Sequence, residues 1–322
     1  MSDPSASSAP SAPSSPSAPC APRWPSGYRG RPATAADSAA VHRLVGSYER
    51  ALHGRVTTGA DHVAVDLGMS GREPSDAAVL VHDRAGDLAA WGRVRGRRAT
   101  VHVHPGHRGR GLGGSLLAWT EARARHLGGD RLAQTISDED LAATALLRRG
   151  GYARLVTEWL LEIALPAAPP VSEPPAGITV RTFRAGDEEA VYRLTEDAFD
   201  EWQQRRKTYP EWTRHTVGRP TFTPAASPLA FADGELVGAL LSLDAPDGDE
   251  GYVERLAVRR DHRGRGIARL LLHEAFRAFH HRGRRACTLW THSDTGALPL
   301  YEHLGMTVRR SSTVYGRALV PG

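Results

Sequence analysis

The strongest constraint on this chain of 322 residues is an internal repeat, because two copies of one segment predict two copies of one fold. Three pairs of segments match in the same order, namely 31–44 with 181–194, 107–113 with 262–268, and 137–152 with 291–306. The offsets are 150, 155 and 154 residues. Because they drift so little, they indicate a tandem duplication with small insertions. The length also suits two domains of about 100 to 200 residues each.

The repeat sets the predicted domain limits. Five prolines in the segment LPAAPPVSEPPAG favour extended backbone, so we expect a proline-rich linker over 165–176. The first domain is then expected over 27–164 and the second over 177–320. Residues 1–26 consist mainly of serine, proline and alanine, which predicts a disordered tail. This tail has an acid near its start and no apolar run, so it does not have the pattern of a secretory signal.

The composition argues against several classes of protein. No window approaches the roughly 18 apolar residues that a membrane span requires, so we expect no membrane partner. The formal net charge is +5, but the basic side chains are scattered among acids, which favours a solvated surface and no nucleic-acid partner. The two cysteines, Cys20 and Cys287, fit a cytoplasmic protein and indicate neither a disulfide framework nor a metal site. The sequence is compatible with either a monomer or a homodimer.

Within each copy the pattern predicts an α+β fold, a mixed and mostly antiparallel sheet flanked by helices. In the second copy, Asp187 is expected to cap the helix that follows it. The dipeptide Asp233-Gly234 predicts the turn of a hairpin. Apolar residues at helical spacing predict one buried helix face, formed by Ile267, Leu270, Leu271, Ala275, Phe276 and Phe279.

Each copy carries a glycine-rich loop between a predicted strand and a predicted helix. The loop is Arg108-Gly109-Arg110-Gly111-Leu112-Gly113 in the first copy and Arg263-Gly264-Arg265-Gly266-Ile267-Ala268 in the second. A loop that opens a helix offers unpaired N–H groups and the positive end of the helix dipole. Glycine lets the backbone approach phosphate oxygens closely, and the arginines add positive charge. We therefore expect these loops to suit a pyrophosphate.

Both loops resemble the signature of the GCN5-related N-acetyltransferase (GNAT) superfamily, Arg/Gln-x-x-Gly-x-Gly/Ala, between the fourth strand and the third helix. The resemblance extends over nearly all of both copies. It implies two tandem GNAT-like domains and an enzyme that transfers an acetyl group from acetyl-CoA directly to an amine, with no metal. It also implies cofactor contacts from the fourth strand at Leu256, Ala257 and Val258. Asp294 stands where many relatives carry an asparagine that touches the CoA arm.

Direct transfer requires a proton acceptor and a proton donor. An alkyl amine with a pKa near 10 is only about 0.1% neutral at pH 7, so a general base assists its attack. Glu254 on the fourth predicted strand is the candidate base, and strand alternation is expected to place it on the same side as Leu256 and Val258. Tyr301 stands where similar GNAT enzymes carry the tyrosine that protonates the departing thiolate.

The two copies differ at these catalytic positions. At the repeat offsets, Glu254 corresponds to Ala99 and Tyr301 corresponds to Leu147. The first copy thus keeps a phosphate loop but has neither acid–base group. We expect the first domain to be degenerate and the second to catalyse.

The acceptor is a further open question, and a primary amine of a small molecule is the preferred hypothesis. Trp202, Tyr209 and Trp212 are candidates for lining an acceptor pocket, with packing between helices as the alternative. Acidic residues between Asp244 and Glu250 are candidates for attracting a cationic amine, although a solvated hairpin loop is the default interpretation.

Other functions stay open at this point. The tandem arrangement is similar to that of mycothiol synthases, which acetylate a cysteinyl glucosaminyl-inositol. Those enzymes usually place their glutamate two residues earlier on the strand, where this chain has Tyr252. Antibiotic-type acetylation and protein N-terminal acetylation are further alternatives. A non-catalytic regulatory protein that binds acyl-CoA is the alternative from a different class.

Overall fold

The computed structural model describes residues 23–68, 78–200, 205–244 and 249–319. Most of the predicted tail, 1–26, therefore lies outside the described residues. The described chain forms two compact units. Unit 1 contains the residues up to Leu132 together with Ala318 and Leu319, and unit 2 contains Ala133–Arg317.

Unit 1 is an antiparallel sheet with helices packed on it. The strand order is β1-β2-β3-β4, and each neighbouring pair is antiparallel. The strands are β1 (Arg29–Pro32), β2 (Ala78–His82), β3 (Leu88–Arg95) and β4 (Arg98–Val103), and β5 (Arg131–Ser137) leads into unit 2. The helices are α1 (Ser38–His53), α2 (Ala60–Gly68) and α3 (Leu112–His126).

Unit 2 contains a mixed sheet with the strand order β5-β12-β6-β11-β10-β9-β8-β7. The β10–β11 pair is parallel, whereas the pairs from β7 to β10 and the pairs of β6 with β11 and β12 are antiparallel. This mixed sheet with flanking helices confirms the α+β prediction. The strands are β6 (Ala153–Ala164), β7 (Ile178–Thr182), β8 (Pro228–Ala232), β9 (Glu235–Asp244), β10 (Glu250–Val258), β11 (Ala286–His292) and β12 (Thr307–Ala318). The helices are α4 (Leu141–Arg149), α5 (Glu188–Phe199), α6 (Tyr209–His215), α7 (Ile267–His281) and α8 (Leu298–His303).

Strand β6 belongs to the first sequence copy but lies between two strands of the second. Its residue Leu161 pairs with Leu289 of β11 on one side and with Val308 of β12 on the other. Leu161 has no exposed surface and belongs to the core cluster under α7. The contact boundary after Leu132 therefore differs from the repeat boundary near residue 165, because the sheet of the second copy includes a strand of the first.

The start of α5 differs from the sequence expectation. Asp187 occupies the N-cap position, but its carboxylate does not cap the described helix. It instead accepts two hydrogen bonds from the Arg181 guanidinium, both at 2.7 Å, and one from the Arg184 N–H at 2.8 Å. Two hydrogen bonds from a charged guanidinium are stronger than one from a backbone N–H, which explains why the carboxylate pairs with Arg181. Arg31 and Asp37 form the same pair in unit 1.

Two local predictions in unit 2 are confirmed. Asp233 and Gly234 both have positive φ, +50° and +82°, and join β8 to β9 in a two-residue turn, as a type I′ hairpin requires. All six residues of the predicted apolar face of α7 are buried. The helix lies so close to β10 that a Cβ on Gly251 would come within 2.3 Å of the Phe279 ring. That contact explains glycine at the start of β10.

Candidate active site

Strands β10 and β11 begin as a parallel pair and then separate. Their register covers residues from Glu250↔Ala286 to Val253↔Leu289, yet β10 continues to Val258 and β11 to His292. From Glu254 onward, the edge of β10 that faces β11 has no strand partner among the described residues. Backbone N–H and C=O groups on such an edge are available to hydrogen-bond an extended ligand.

A β-bulge lies where the two strands separate. The register of β10 against β9 shifts between Val253 and Arg255, so Glu254 is the inserted residue. The expectation that Glu254 shares a side with Leu256 and Val258 is wrong for this reason. Leu256 and Val258 pack against the cluster under α7, whereas the Glu254 carboxylate interacts electrostatically with Arg255, Arg219 and Lys207.

The glycine loop of the second copy leads directly into α7. Gly264 and Gly266 adopt positive φ of +74° and +80°, which accounts for glycine at both positions. A Cβ on Gly264 would meet no described atom within 4 Å, and one on Gly266 would meet only Pro175, at 3.9 Å. Gly266 caps α7 without a side-chain hydrogen bond from the described chain. The exposed N–H groups of this first turn therefore fit the diphosphate of a nucleotide cofactor.

The remaining residues of this loop have distinct environments. Arg263 donates from Nε to the Val258 carbonyl oxygen at 3.2 Å, which fixes the loop to the end of β10. Arg265 is exposed and has no side-chain partner in the described parts of the chain, so its charge is available to a phosphate. Ile267 is buried in the core and Ala268 is half-buried, so both anchor the helix start.

Tyr301 lies on α8 and is 7% exposed within the core cluster under α7. Burial raises the pKa of its phenol to about 12, because the phenolate would lose its hydration. The group therefore stays protonated at neutral pH, as a proton donor requires. Replacement of this residue by Leu147 in the first copy leaves a buried side chain with no proton to give.

Glu254 is half-buried, and desolvation raises the pKa of its carboxyl above the ordinary glutamate range. Arg255, Arg219 and Lys207 lower that pKa in turn, but burial is the largest cause. A carboxyl whose pKa is moved toward neutrality is suited to accept a proton from an amine. The first copy has no bulge here: Ala99 pairs with Val94 as Val253 pairs with Ser242, so the regular strand β4 has no residue in the place of Glu254. Tyr252, two residues earlier, also has its pKa raised by burial, so its phenol stays neutral.

Sequence reasoning missed a buried ion pair beside Glu254. Arg255 Nη1 lies 3.7 Å from an oxygen of Glu196 on α5, and the Glu196 side chain has no exposed surface. The other Glu196 oxygen accepts the Lys207 N–H at 2.7 Å. A comparison between the copies could have revealed this pair, because the first copy has Gly46 and Thr100 at the corresponding positions.

The equivalent face of β4 in unit 1 is filled by aromatic rings. Trp91 Nε1 donates to His102 Nδ1 at 3.0 Å, and the Tyr48 ring meets the His102 ring edge-on with centroids 4.7 Å apart. The repeat offsets and the matching strand registers align these three rings with alanines in the second copy. Those alanines are Ala198, Ala239 and Ala257. Small side chains therefore line this face only in the copy that carries Glu254.

The first glycine loop has the same backbone conformation as the second, but its arginines contact nearby tyrosines. Gly109 and Gly111 have φ of +76° and +85°. Arg108 lies over the Tyr48 ring, 5.3 Å from its centroid, and Arg110 donates to the Tyr28 hydroxyl at 3.4 Å. Leu112 is buried and Gly113 is half-buried, as at the start of α7. The backbone cradle is thus duplicated, while the side chains around it differ.

The other candidate residues occupy varied positions. Asp294 is exposed after β11 and accepts a hydrogen bond from the Ser293 hydroxyl at 3.1 Å. Ala257 is 3% exposed and packs on the α5 side of the sheet, so only its backbone can reach the opening between β10 and β11. Trp212 is fully buried in the same cluster, whereas Tyr209 is 40% exposed and stacks on it. Trp202 lies outside the described residues.

The acidic residues before β10 are largely paired with arginines. Asp244 lies 3.1 Å from both Arg282 and Arg284, and Glu250 lies 2.9 Å from Arg309. Asp249 is exposed, and Asp247 falls outside the described residues. The paired carboxylates are neutralised, which weakens the hypothesis that this cluster attracts a cationic amine.

Within the described ranges, no cluster of three or more histidine, cysteine or acidic residues has the geometry to hold a metal ion. In the same part of the chain, no helix combines the length and apolar character needed to cross a bilayer.

Comparisons with known proteins agree with this architecture. Residues 59–152 and 188–306 both match the acetyltransferase (GNAT) family. A mycothiol acetyltransferase from Geodermatophilus obscurus is 32% identical over 256 residues, covering 74% of this chain and 82% of the relative. One from Thermobispora bispora is 34% identical, covering 67% and 74%.

Solved structures give the same result. A GCN5-related N-acetyltransferase from Sphaerobacter thermophilus is 30% identical, with a TM-score of 0.79 and coverage of 93% of this chain and 98% of the other. A tandem GNAT protein from the clavulanic acid biosynthesis pathway has a TM-score of 0.72 at 19% identity, covering 92% and 99%, and this likeness concerns the fold alone. The duplicated glycine loop, the separated strands and these matches lead to one conclusion: the chain is an acetyl-CoA-dependent N-acetyltransferase that belongs to the GNAT family.

Proposed function

We propose that the second sequence copy carries out the acetyl transfer and that its acceptor is a primary amine of a small molecule. The observation that carries this proposal is the difference between the copies. Glu254 and Tyr301 have pKa values raised by desolvation in the second copy, whereas the first copy has Ala99 and Leu147 at the repeat offsets. Only the second copy therefore offers a proton acceptor and a proton donor around its glycine loop.

The chemistry follows from these side chains. When bound, acetyl-CoA supplies a thioester carbonyl carbon that an amine can attack. The Glu254 carboxylate accepts a proton from the amine, directly or through water, because its raised pKa favours protonation. Tyr301 donates a proton toward the departing sulfur, since its phenol is held neutral by burial. Unpaired N–H groups on β10 are suited to stabilise the negative charge that develops on the carbonyl oxygen.

The proposed cofactor site combines backbone and side-chain features. The N–H groups at the start of α7, with Arg263 and Arg265, are proposed to hold the diphosphate. The open edge of β10 from Leu256 to Val258 is proposed to bind the pantetheine arm by strand-like hydrogen bonds. Asp294 is retained as a weaker candidate, because its carboxylate is already bonded to Ser293.

A second candidate acceptor is the cysteinyl glucosaminyl-inositol precursor of mycothiol. The relatives named mycothiol acetyltransferase, at 30 to 35% identity over about two thirds of this chain or more, favour it. Tyr252 argues against it, because its phenol stays neutral and the glutamate usual in mycothiol synthases is absent from that position. Steady-state assays with this precursor and with simple primary amines separate the two acceptors.

Replacing Tyr301 with phenylalanine tests the catalytic assignment. Loss of the phenol should lower turnover roughly 100-fold while leaving acetyl-CoA affinity nearly unchanged, because only the proton donor is removed. Tyr315→Phe is the matched control, since Tyr315 is also buried, at 4% exposure, but lies on β12. Both variants are compared by turnover in a mass-spectrometric acetylation assay and by calorimetric titration with acetyl-CoA. Unchanged turnover in Tyr301→Phe would remove this residue from the mechanism.

A further inference from the structure

A cluster of charged side chains lies on the α5 side of β10, around the candidate base. Glu254 interacts electrostatically with Arg255, Arg219 and Lys207, and Arg255 is paired with Glu196. Except for Glu254, none of these residues belongs to the proton-transfer or cofactor groups described above. The cluster contains three cations and two carboxylates, so it carries an excess of positive charge beside the reaction centre.

Arg255 and Glu196 form an ion pair within the cluster, so their charges largely cancel. Glu196 has no exposed surface and Arg255 is 10% exposed, with 3.7 Å between the nearest nitrogen and oxygen. Arg255 also lies over the Phe199 ring, 5.1 Å from its centroid, which holds the guanidinium in place. Burying an ion pair costs desolvation energy, so an apolar pair would serve stability equally well. The pair therefore calls for a functional explanation.

Lys207 and Arg219 bring the cations of this cluster to one more than its carboxylates. Neither forms an ion pair with any residue that the structure describes. The pKa of Lys207 is lowered, first by burial and then by repulsion from Arg255, and the attraction of Glu196 and Glu254 does not offset these effects. Arg219 is half-buried and interacts with both Tyr252 and Glu254. Two such cations near a base form a site that attracts an anion.

The first copy has different residues at three of these positions. The positions of Glu196, Glu254 and Arg255 are taken by Gly46, Ala99 and Thr100. The charges thus accompany the candidate base and are not a general feature of the repeated fold. Their location on the side of β10 away from α7 separates them from the glycine loop, which supplies the cations for the cofactor phosphates.

We propose that the acceptor carries a carboxylate close to its reacting amine, as an α-amino acid does, and that Lys207 and Arg219 bind this carboxylate. The inference rests on the proposed function of the second copy. A reactive amine arrives largely as an ammonium ion, which an excess of positive charge repels. A carboxylate on the same molecule cancels this repulsion and leaves the amine beside Glu254. Arg255, fixed by Glu196, acts as a positioning residue that maintains the positive potential.

The test compares matched acceptors that differ only in the carboxylate. Full-length protein is assayed by mass spectrometry with acetyl-CoA and with methionine, phenylalanine and cysteine, each beside its primary amide. We expect kcat/KM to be at least about tenfold higher for the amino acid in the preferred pair, the range of a charge-assisted contact. Lys207→Gln and Arg219→Gln should remove this preference mainly by raising KM for the amino acid.

Arg214→Gln is the control, because Arg214 is an exposed residue on α6 close in sequence to Arg219. It should keep the preference of the wild type. Equal or faster acetylation of the amides by the wild-type protein, or a preference unchanged in both charge variants, would overturn the carboxylate proposal and leave the acetyltransferase proposal standing. Failure to acetylate any amine in the panel or the mycothiol precursor, despite calorimetric binding of acetyl-CoA, would overturn both.

Discussion

At the scale of single residues, the reaction is proposed to depend on two desolvated ionisable groups, one that accepts a proton and one that donates a proton. Burial raises the pKa of both Glu254 and Tyr301, because both become anions when they lose a proton. For Glu254 the shift brings a carboxyl toward neutrality and makes it a better base. For Tyr301 the shift keeps the phenol protonated. One physical effect therefore prepares a proton acceptor and a proton donor.

The pH dependence of the rate follows from the raised pKa of Glu254. The base works only when deprotonated, so kcat/KM should rise with pH as this carboxyl ionises, at a pH above the ordinary glutamate range. Glu254→Gln should lower kcat/KM roughly 100-fold and remove this limb of the profile. The measurement is a pH profile of both proteins. An unchanged limb in the variant would assign it to another group.

The same shift has the opposite consequence for stability. The folded protein holds the Glu254 proton more tightly than the unfolded chain, so wild-type stability should fall as the pH rises through this window. Glu254→Gln lacks this ionisation and should be at least as stable as wild type at neutral pH. Denaturant unfolding at acidic and neutral pH measures the difference. The free energy of unfolding of the variant minus that of wild type should be larger at neutral pH than at acidic pH. A smaller difference at neutral pH would contradict the assignment.

At the scale of elements, the site is built where β10 leaves β11 and meets the glycine loop. The bulge at Glu254 turns its carboxylate toward α5, and the positive-φ glycines open the start of α7. The sequence predicted the loop, the hairpin turn and the buried face of α7, because each depends on local chemistry. It could not predict the bulge or the Arg255–Glu196 pair, since both depend on strand register and on contacts between distant segments.

Strand β6 is the element whose structural role is least apparent from the repeat. Leu161 has no exposed surface and packs in the core under α7, so Leu161→Ala should lower the free energy of unfolding by about 2 to 5 kcal/mol. Leu155 on the same strand is 59% exposed, and Leu155→Ala should change stability by no more than about 0.5 kcal/mol. Denaturant unfolding followed by circular dichroism compares them. Equal effects of both substitutions would show that β6 is not part of this core.

At the scale of the whole molecule, the repeat and the compact units divide the chain differently. Unit 2, Ala133–Arg317, contains the second sequence copy together with the end of β5, α4 and β6 from the first. Periodicity and motifs reveal the duplication, but they do not indicate which copy's sheet contains β6. For that reason the domain limits of 27–164 and 177–320 remain predictions about the repeat. The limits of the compact units differ, because β6 is hydrogen-bonded between β11 and β12.

This difference predicts how fragments of the chain behave. Residues 165–317 lack β6 and leave the facing edges of β11 and β12 unpaired, so this fragment should show no cooperative unfolding transition and no binding of acetyl-CoA. Residues 133–317 keep the strand and should show both. Thermal unfolding and calorimetric titration measure the outcome. Cooperative folding of the shorter fragment would contradict the importance of β6.

If the second copy performs the transfer, the paired glycines of the two loops should respond differently to the same substitution. Gly111 and Gly266 both precede a helix at positive φ, +85° and +80°, so Gly111→Glu and Gly266→Glu introduce the same strain and the same negative charge. Acetyl transfer and calorimetric titration with acetyl-CoA are measured for both variants and for wild type. We expect Gly266→Glu to abolish acetyl transfer and acetyl-CoA binding in the second copy, while Gly111→Glu retains transfer. Loss of transfer in Gly111→Glu with full activity in Gly266→Glu would contradict this expectation.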